Sequence, residues 1–167
     1  MRPLSALGWI ALLGAALGAG PERRLYEHLI ATHGLSDRVR LEPSRPSSAM
    51  PDFYNALDVL VLPSRTRPNW KEQFGRVVVE AMSCGVPAIV SDSGEPQHLI
   101  AAGSAAPAGL LFPEDDVEAL AACLARLRDD LSLRTTLSAA ARSRAASVYS
   151  MQGIARQTAE FYSRIVK

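Results

Sequence analysis

The run Asp58-Val59-Leu60-Val61-Leu62 limits the possible folds of this chain more than any other feature. It is nearly continuous apolar sequence rich in branched side chains, the pattern of a short strand covered on both faces. A polar loop, Pro63 to Gln73, follows it, then a helix expected from Gly75 to Ser83 and stopped by Gly85 and Pro87. Ala88-Ile89-Val90 repeats the buried-strand pattern. Strand, helix and strand with polar turns between them describe a unit of parallel sheet, and ligands of such sheets sit outside the carboxyl ends of the strands.

The same alternation extends along the chain. Pro21 is expected to open a helix carrying Leu25, His28, Leu29 and Thr32 at helical spacing, with Glu22 at its positive end and Gly34 as a left-handed stop. Val39-Arg40-Leu41 reads as strand, Pro43 to Pro46 as loop, and Met50 to Leu57 as a short helix with Pro51 at its start. After the turn Ser91 to Gly94 come a short helix near Pro96 to Ile100 and the strand Leu110-Leu111-Phe112. Asp115 or Asp116 can cap a helix whose Val117, Leu120, Ala121, Leu124 and Leu127 share one face. Two more amphipathic helices follow, the last carrying Ile154, Thr158, Phe161 and Ile165. The expected fold class is α/β, a Rossmann-like parallel sheet with helices on both faces.

The first twenty residues admit two readings. In one, Trp9-Ile10-Ala11-Leu12-Leu13 is a buried strand and Gly14 to Gly20 a glycine-rich turn, which suits the helix that follows. In the other, Arg2 and the apolar run Leu7 to Ala19 form a cleaved export signal, too short to span a bilayer comfortably. The first is preferred. It divides the chain into an irregular segment 1–8, a sheet domain 9–150 and a C-terminal helix 151–167.

With 167 residues, 48% hydrophobic and a net charge of +1, the chain can bury a real core, which excludes disorder. Nucleic acid is not an expected partner, because phosphate binding needs clustered basic charge. Cys84 and Cys123 are lone residues in apolar stretches and read as buried thiols. His28, His33 and His98 are scattered and no D-x-D pair occurs, so no metal site is expected.

The chemistry concentrates in Glu72-Gln73-Phe74-Gly75-Arg76-Val77-Val78-Val79-Glu80-Ala81-Met82. The amides of Phe74, Gly75 and Arg76 would be the unpaired donors of a helix start, and Gly75 lets a ligand approach the backbone, so the segment is an anion site with a carboxylate on either side. Arg76 breaks a rule: a cation at a helix start opposes the dipole, by about 0.3–1 kcal/mol. An Arg facing a bound phosphate removes the conflict, and an Arg swung into solvent avoids it. Taken alone, the glutamates could equally be simple dipole partners.

The whole run resembles the donor-binding motif of the retaining glycosyltransferases of the GT-B class, family 4, also called glycosyl transferases group 1. The matching residues are Glu72, Phe74, Gly75, Glu80 and Ala81, with the glutamates eight positions apart. Flanking blocks are similar too: Ala56-Leu57-Asp58-Val59 through Pro63-Ser64, then Gly85-Val86-Pro87-Ala88-Ile89-Val90 with Ser93-Gly94-Glu95, and earlier Gly20-Pro21-Glu22-Arg23 and Asp37-Arg38-Val39. The resemblance implies the second half of a GT-B fold, with a nucleoside-diphosphate sugar (a UDP- or GDP-sugar) as donor substrate and no cofactor or metal.

Carried over residue by residue, it makes Glu80 the ribose ligand. Glu72 becomes the catalytic candidate, holding hydroxyls of the donor sugar. Phe74, Gly75, Arg76 and Gly20 meet sugar and phosphate, and Pro43, Ser44 and Arg45 border the base. A glycosidase, which also uses two carboxylates, has no need of a helix-start anion site.

The implied acceptor is a glycan or lipid-linked sugar, held by an acceptor-binding domain outside this chain or on a separate subunit. The implied setting is the cytoplasm, with a peripheral position at the inner face of the cytoplasmic membrane as an option. The family's opening donor-domain strand, with its Arg and Lys, has no counterpart before Trp9, and Ala19 replaces an acidic residue of the glycine loop. Two strand edges are then expected to lack a partner, and Gly103 to Ala108 reads as an insertion. A non-catalytic nucleotide-sugar-binding subunit or an inactive gene fragment is the alternative.

Overall fold

The computed structural model describes residues 14–17, 20–101, 103 and 105–166. The expected Trp9 to Leu13 strand, the irregular segment 1–8 and most of the export-signal reading lie outside them. By its backbone contacts the chain falls into two units, residues 1–53 and 54–167.

The first unit holds strand β1 (Gly14–Leu17), helix α1 (Arg23–Thr32) and strand β2 (Val39–Glu42). β1 and β2 are parallel, with Gly14 opposite Val39. Residues 14–17, expected to be turn, are therefore strand: the Gly14 amide donates to the Arg38 carbonyl at 2.7 Å and the four residues pair in register with 39–42. α1 begins at Arg23 rather than Pro21, which forms a turn with Glu22. Arg23 ties the helix to β2 through the Leu41 carbonyl at 3.0 Å. Gly34, at φ +65°, ends the helix as expected.

The second unit is built on β3 (Leu60–Leu62), β4 (Ala88–Ser91) and β5 (Gly109–Phe112), all parallel in the order β3-β4-β5. β4 is wholly buried, and its residues alternate between two clusters. Ala88 and Val90 pack with Val78, Met82, Leu99 and Ile100, and so meet α3 (Arg76–Ser83) and α4 (Pro96–Leu99). Ile89 packs with Phe112, Leu127 and Leu137, and so meets α5 (Val117–Asp129) and α6 (Leu131–Arg144). A parallel strand with helices on both faces must be apolar on both, which is why Ala88-Ile89-Val90 shows no polar alternation. β3 is shorter than the run 58–62 and only half-buried, because it borders its sheet with β4 as its one neighbour among the described strands.

Asp116, not Asp115, caps α5, accepting from the Ala119 amide at 2.8 Å. Val117, placed by its spacing on the inner face, is 68% exposed, and Ala119 and Cys123 pack inward with Leu120 and Leu124. Val117 opens the helix in solvent, and inward packing begins two residues later. A π-helical turn, Ala145–Tyr149, joins α6 to α7 (Met151–Ile165), and Ser150 caps α7 through the Gly153 amide. Phe161 and Ile165 of α7 are exposed. Cys84 and Cys123 are half-buried free thiols, and burial raises the pKa of both. No helix among the described residues is long and apolar enough to cross a membrane.

The burial pattern gives a direct test. Ile89→Ala should lower the unfolding free energy by about 2–5 kcal/mol, and Val117→Ala by less than about 0.5 kcal/mol, both read from urea midpoints.

Candidate functional site

The carboxyl ends of β3, β4 and β5 are fastened to one another by side chains. Ser91, buried at the end of β4, donates to the Ser64 carbonyl beyond β3 at 2.6 Å. Thr66 meets the Ser93 hydroxyl at 2.9 Å, and both its amide and its hydroxyl reach the Glu114 carboxylate beyond β5. Asp92 accepts from the Glu114 amide at 2.7 Å. The Thr66 hydroxyl, foremost, holds the Glu114 carboxyl below its ordinary pKa.

On this base the loop carrying Glu72 is pressed against the β4 turn. The Glu95 amide donates to the Glu72 carbonyl at 3.1 Å. Gly94 adopts φ +80°, and a Cβ placed on it would lie 2.1 Å from that carbonyl oxygen. No other residue type fits there without moving Glu72.

Glu72 then turns its side chain back: Oε1 accepts from the Gly75 amide at 3.1 Å. Gly75, buried and at φ +83°, precedes the first residue of α3. The Gly75 amide, expected to be an open donor, is thus already paired with the Glu72 carboxylate, just ahead of the first residue of α3. Oε2 of Glu72 has no hydrogen-bond partner among the described residues. Phe74 is largely exposed, its ring edge-on to Tyr149 of the π-helical turn with centroids 6.3 Å apart.

Glu80 lies one turn into α3, beside Arg76. Arg76 Nε approaches Glu80 Oε1 at 3.2 Å, with side-chain exposures of 78% and 36%. This i, i+4 pair offsets part of the conflict between Arg76 and the helix dipole, although an ion pair so exposed contributes only about 0–1 kcal/mol. The other oxygen is held differently. Tyr54, 2% exposed, donates its phenol hydroxyl to Glu80 Oε2 at 2.7 Å. Burial and then this hydrogen bond push the Tyr54 pKa well above its ordinary value, so the phenol stays a donor.

A cleft of about 690 Å³ opens beside Glu72, between residues 66–73 and 94–98. Trp70 lines it, half-exposed, on a tight turn in which Arg67 and Trp70 exchange backbone hydrogen bonds. His98 of α4 also lines it.

Of the residues singled out from sequence, Glu72, Phe74, Gly75, Arg76 and Glu80 gather around the start of α3 in the second unit. Gly20 and the exposed residues Pro43, Ser44 and Arg45 belong to the first unit, where Arg45 pairs with Glu42 at 3.0 Å. Tyr54, Tyr149 and the Thr66–Ser93–Glu114 group were not foreseen. Each acts across 20 or more residues, and local sequence carries no sign of such a contact.

Residues 11–144 match the family model described as glycosyl transferases group 1. The chain is 33% identical over 159 residues to D-inositol 3-phosphate glycosyltransferase of Thermobispora bispora, a match covering 95% of this chain and 35% of the relative. The sucrose-phosphate synthase structure from Thermosynechococcus elongatus superposes with a TM-score of 0.74 at 30% identity, over 91% of this chain and 38% of that one. The Anabaena Alr3699/HepE structure in complex with UDP gives 0.76 at 25% identity, over 92% and 41%. The chain spans about a third of the length of the curated relatives it matches.

Two outcomes follow from the geometry. Gly94→Ala should destabilise the chain by more than about 1–2 kcal/mol, the strain of a left-handed non-glycine residue alone, and calorimetric melting measures it. The lowered Glu114 pKa stabilises the loop clamp at pH values above the ordinary 4.5 of the free carboxyl. That contribution is lost as pH falls through the folded pKa. A carbon-detected titration should place Glu114 below 4.5 in the unchanged chain and closer to it in Thr66→Val.

Proposed function

The chain belongs to the glycosyl transferases group 1 family, and from that premise we propose that its second unit binds a nucleoside-diphosphate sugar at the start of α3. The bound donor is the one from which a sugar passes to a glycan or lipid-linked acceptor. The observation that carries this reading is the pair of glutamates on either side of the Gly75 helix start, Glu72 fixed by the β4 turn and Glu80 fixed by Tyr54. The UDP named in the HepE complex makes UDP the first probe.

Each residue then has a chemical task. Glu80 accepts from ribose hydroxyls, a strong contact for a charged carboxylate. Glu72, with one oxygen on the Gly75 amide, turns the other to donor-sugar hydroxyls. Cleavage of the anomeric bond develops negative charge on the departing diphosphate. The Phe74 and Arg76 amides and the positive helix end oppose that charge at positions set before reaction. Arg76, mostly exposed beside Glu80, is long enough to turn from the carboxylate to the phosphate. Family resemblance supports retention of anomeric configuration. The acceptor contacts belong to the part of such an enzyme that this chain does not span, so the chain alone should bind donor without appreciable transfer.

Isothermal titration calorimetry with UDP tests the site. Glu80→Ala should weaken binding by about 10- to 150-fold, the loss of a charge-assisted hydrogen bond. Equal heats for the two proteins would sink the assignment, and sugar transfer by the chain with no added partner would overturn the claim about the acceptor.

A further inference from the structure

Glu80 has two oxygens and two very different neighbours. Oε1 faces Arg76, whose side chain is largely in solvent and can leave. Oε2 faces the Tyr54 hydroxyl, on a ring with almost no exposure and no room to turn. Tyr54 reaches Glu80 from α2 (Met50–Asn55), a separate element 26 residues upstream, so the contact is tertiary rather than a property of α3 itself. A glutamate near a helix start is otherwise free to rotate its carboxylate about the last side-chain bond. Here one hydrogen bond fixes that plane, while the ionised group keeps lone pairs on both oxygens for further donors.

We propose that Tyr54 is a positioning residue: its hydroxyl sets the plane of the Glu80 carboxylate so that both ribose hydroxyls of a nucleoside diphosphate donate to it. Tyr54 thereby selects ribonucleoside over 2′-deoxyribonucleoside diphosphates. The inference rests on the placement of ribose at Glu80 given under Proposed function. A carboxylate held in one plane meets the vicinal diol with both contacts at once. A rotating carboxylate satisfies one hydroxyl at a time and gains little from the second.

The test is calorimetry on the full chain with UDP and with 2′-deoxyuridine diphosphate. The unchanged chain should prefer UDP by about tenfold, the value of one charge-assisted contact. Tyr54→Phe keeps the ring in its buried site and should cut that preference to below about threefold, with affinity for the deoxy compound nearly unchanged. A merely structural role would weaken both ligands together and leave the ratio intact, and that result overturns the proposal.

If the unchanged chain binds no UDP, or binds both compounds equally, the ribose assignment fails and the proposal with it. If UDP is preferred and Tyr54→Phe keeps the preference, only the role of Tyr54 fails. Should Tyr54→Phe not fold, the unchanged chain labelled at the tyrosine ring carbon that bears the hydroxyl supplies the readout by NMR. UDP should move the Tyr54 resonance more than the deoxy compound does at saturation, and equal shifts overturn the proposal.

Discussion

The close passage of the Gly94 backbone over the Glu72 carbonyl is the contact on which the site depends. It joins the loop after β3 to the turn after β4 with no side chain between them. Only glycine permits that approach, since a Cβ would overlap the oxygen. Because Glu72 is held through its main chain, its side chain can reach back to the Gly75 amide just before α3. The direction of α3 then sets where Glu80 projects. Removal of this contact would free Glu72 from the turn after β4, while α3 and Glu80 stay placed by the buried Val78, Ala81 and Met82.

The electrostatics follow from the same arrangement. A helix start carries partial positive charge, and this one has a carboxylate on the Gly75 amide just before it and another one turn later. Arg76 alone would oppose that field, and pairing with Glu80 at the protein surface relieves little of the conflict. Each glutamate has one oxygen on a fixed partner, Glu72 on a backbone amide and Glu80 on a buried phenol, and the other oxygen of Glu80 faces the exposed Arg76. Such partly satisfied carboxylates are oriented acceptors, suited to hydroxyl groups of a ligand whose phosphates meet the helix end.

Much of this was legible in the chain itself. The strands at Leu60, Ala88 and Leu110 were visible as short apolar runs, because burial on both faces removes polar alternation. The α3 limits were visible in Gly75 and Gly85, both at positive φ. The strand at Gly14–Leu17 was obscured because Gly and Ala have weak strand preference and the pairing is made with residues 39–42, far along the chain. Val117 was misplaced because helical spacing gives a face but not the point where the core ends.

The βαβ order, the glutamate pair around a glycine helix start and the family to which these belong are all written in short-range spacing along the chain. How the pair is held is a matter of packing: Glu72 accepts from the Gly75 amide, Tyr54 grips Glu80, and Thr66, Ser93 and Glu114 tie the three strand ends together. Except for the Glu72–Gly75 contact, these are hydrogen bonds between residues 20 or more positions apart. Their geometry exists only after strands and helices have packed, so no local pattern of residue types records them.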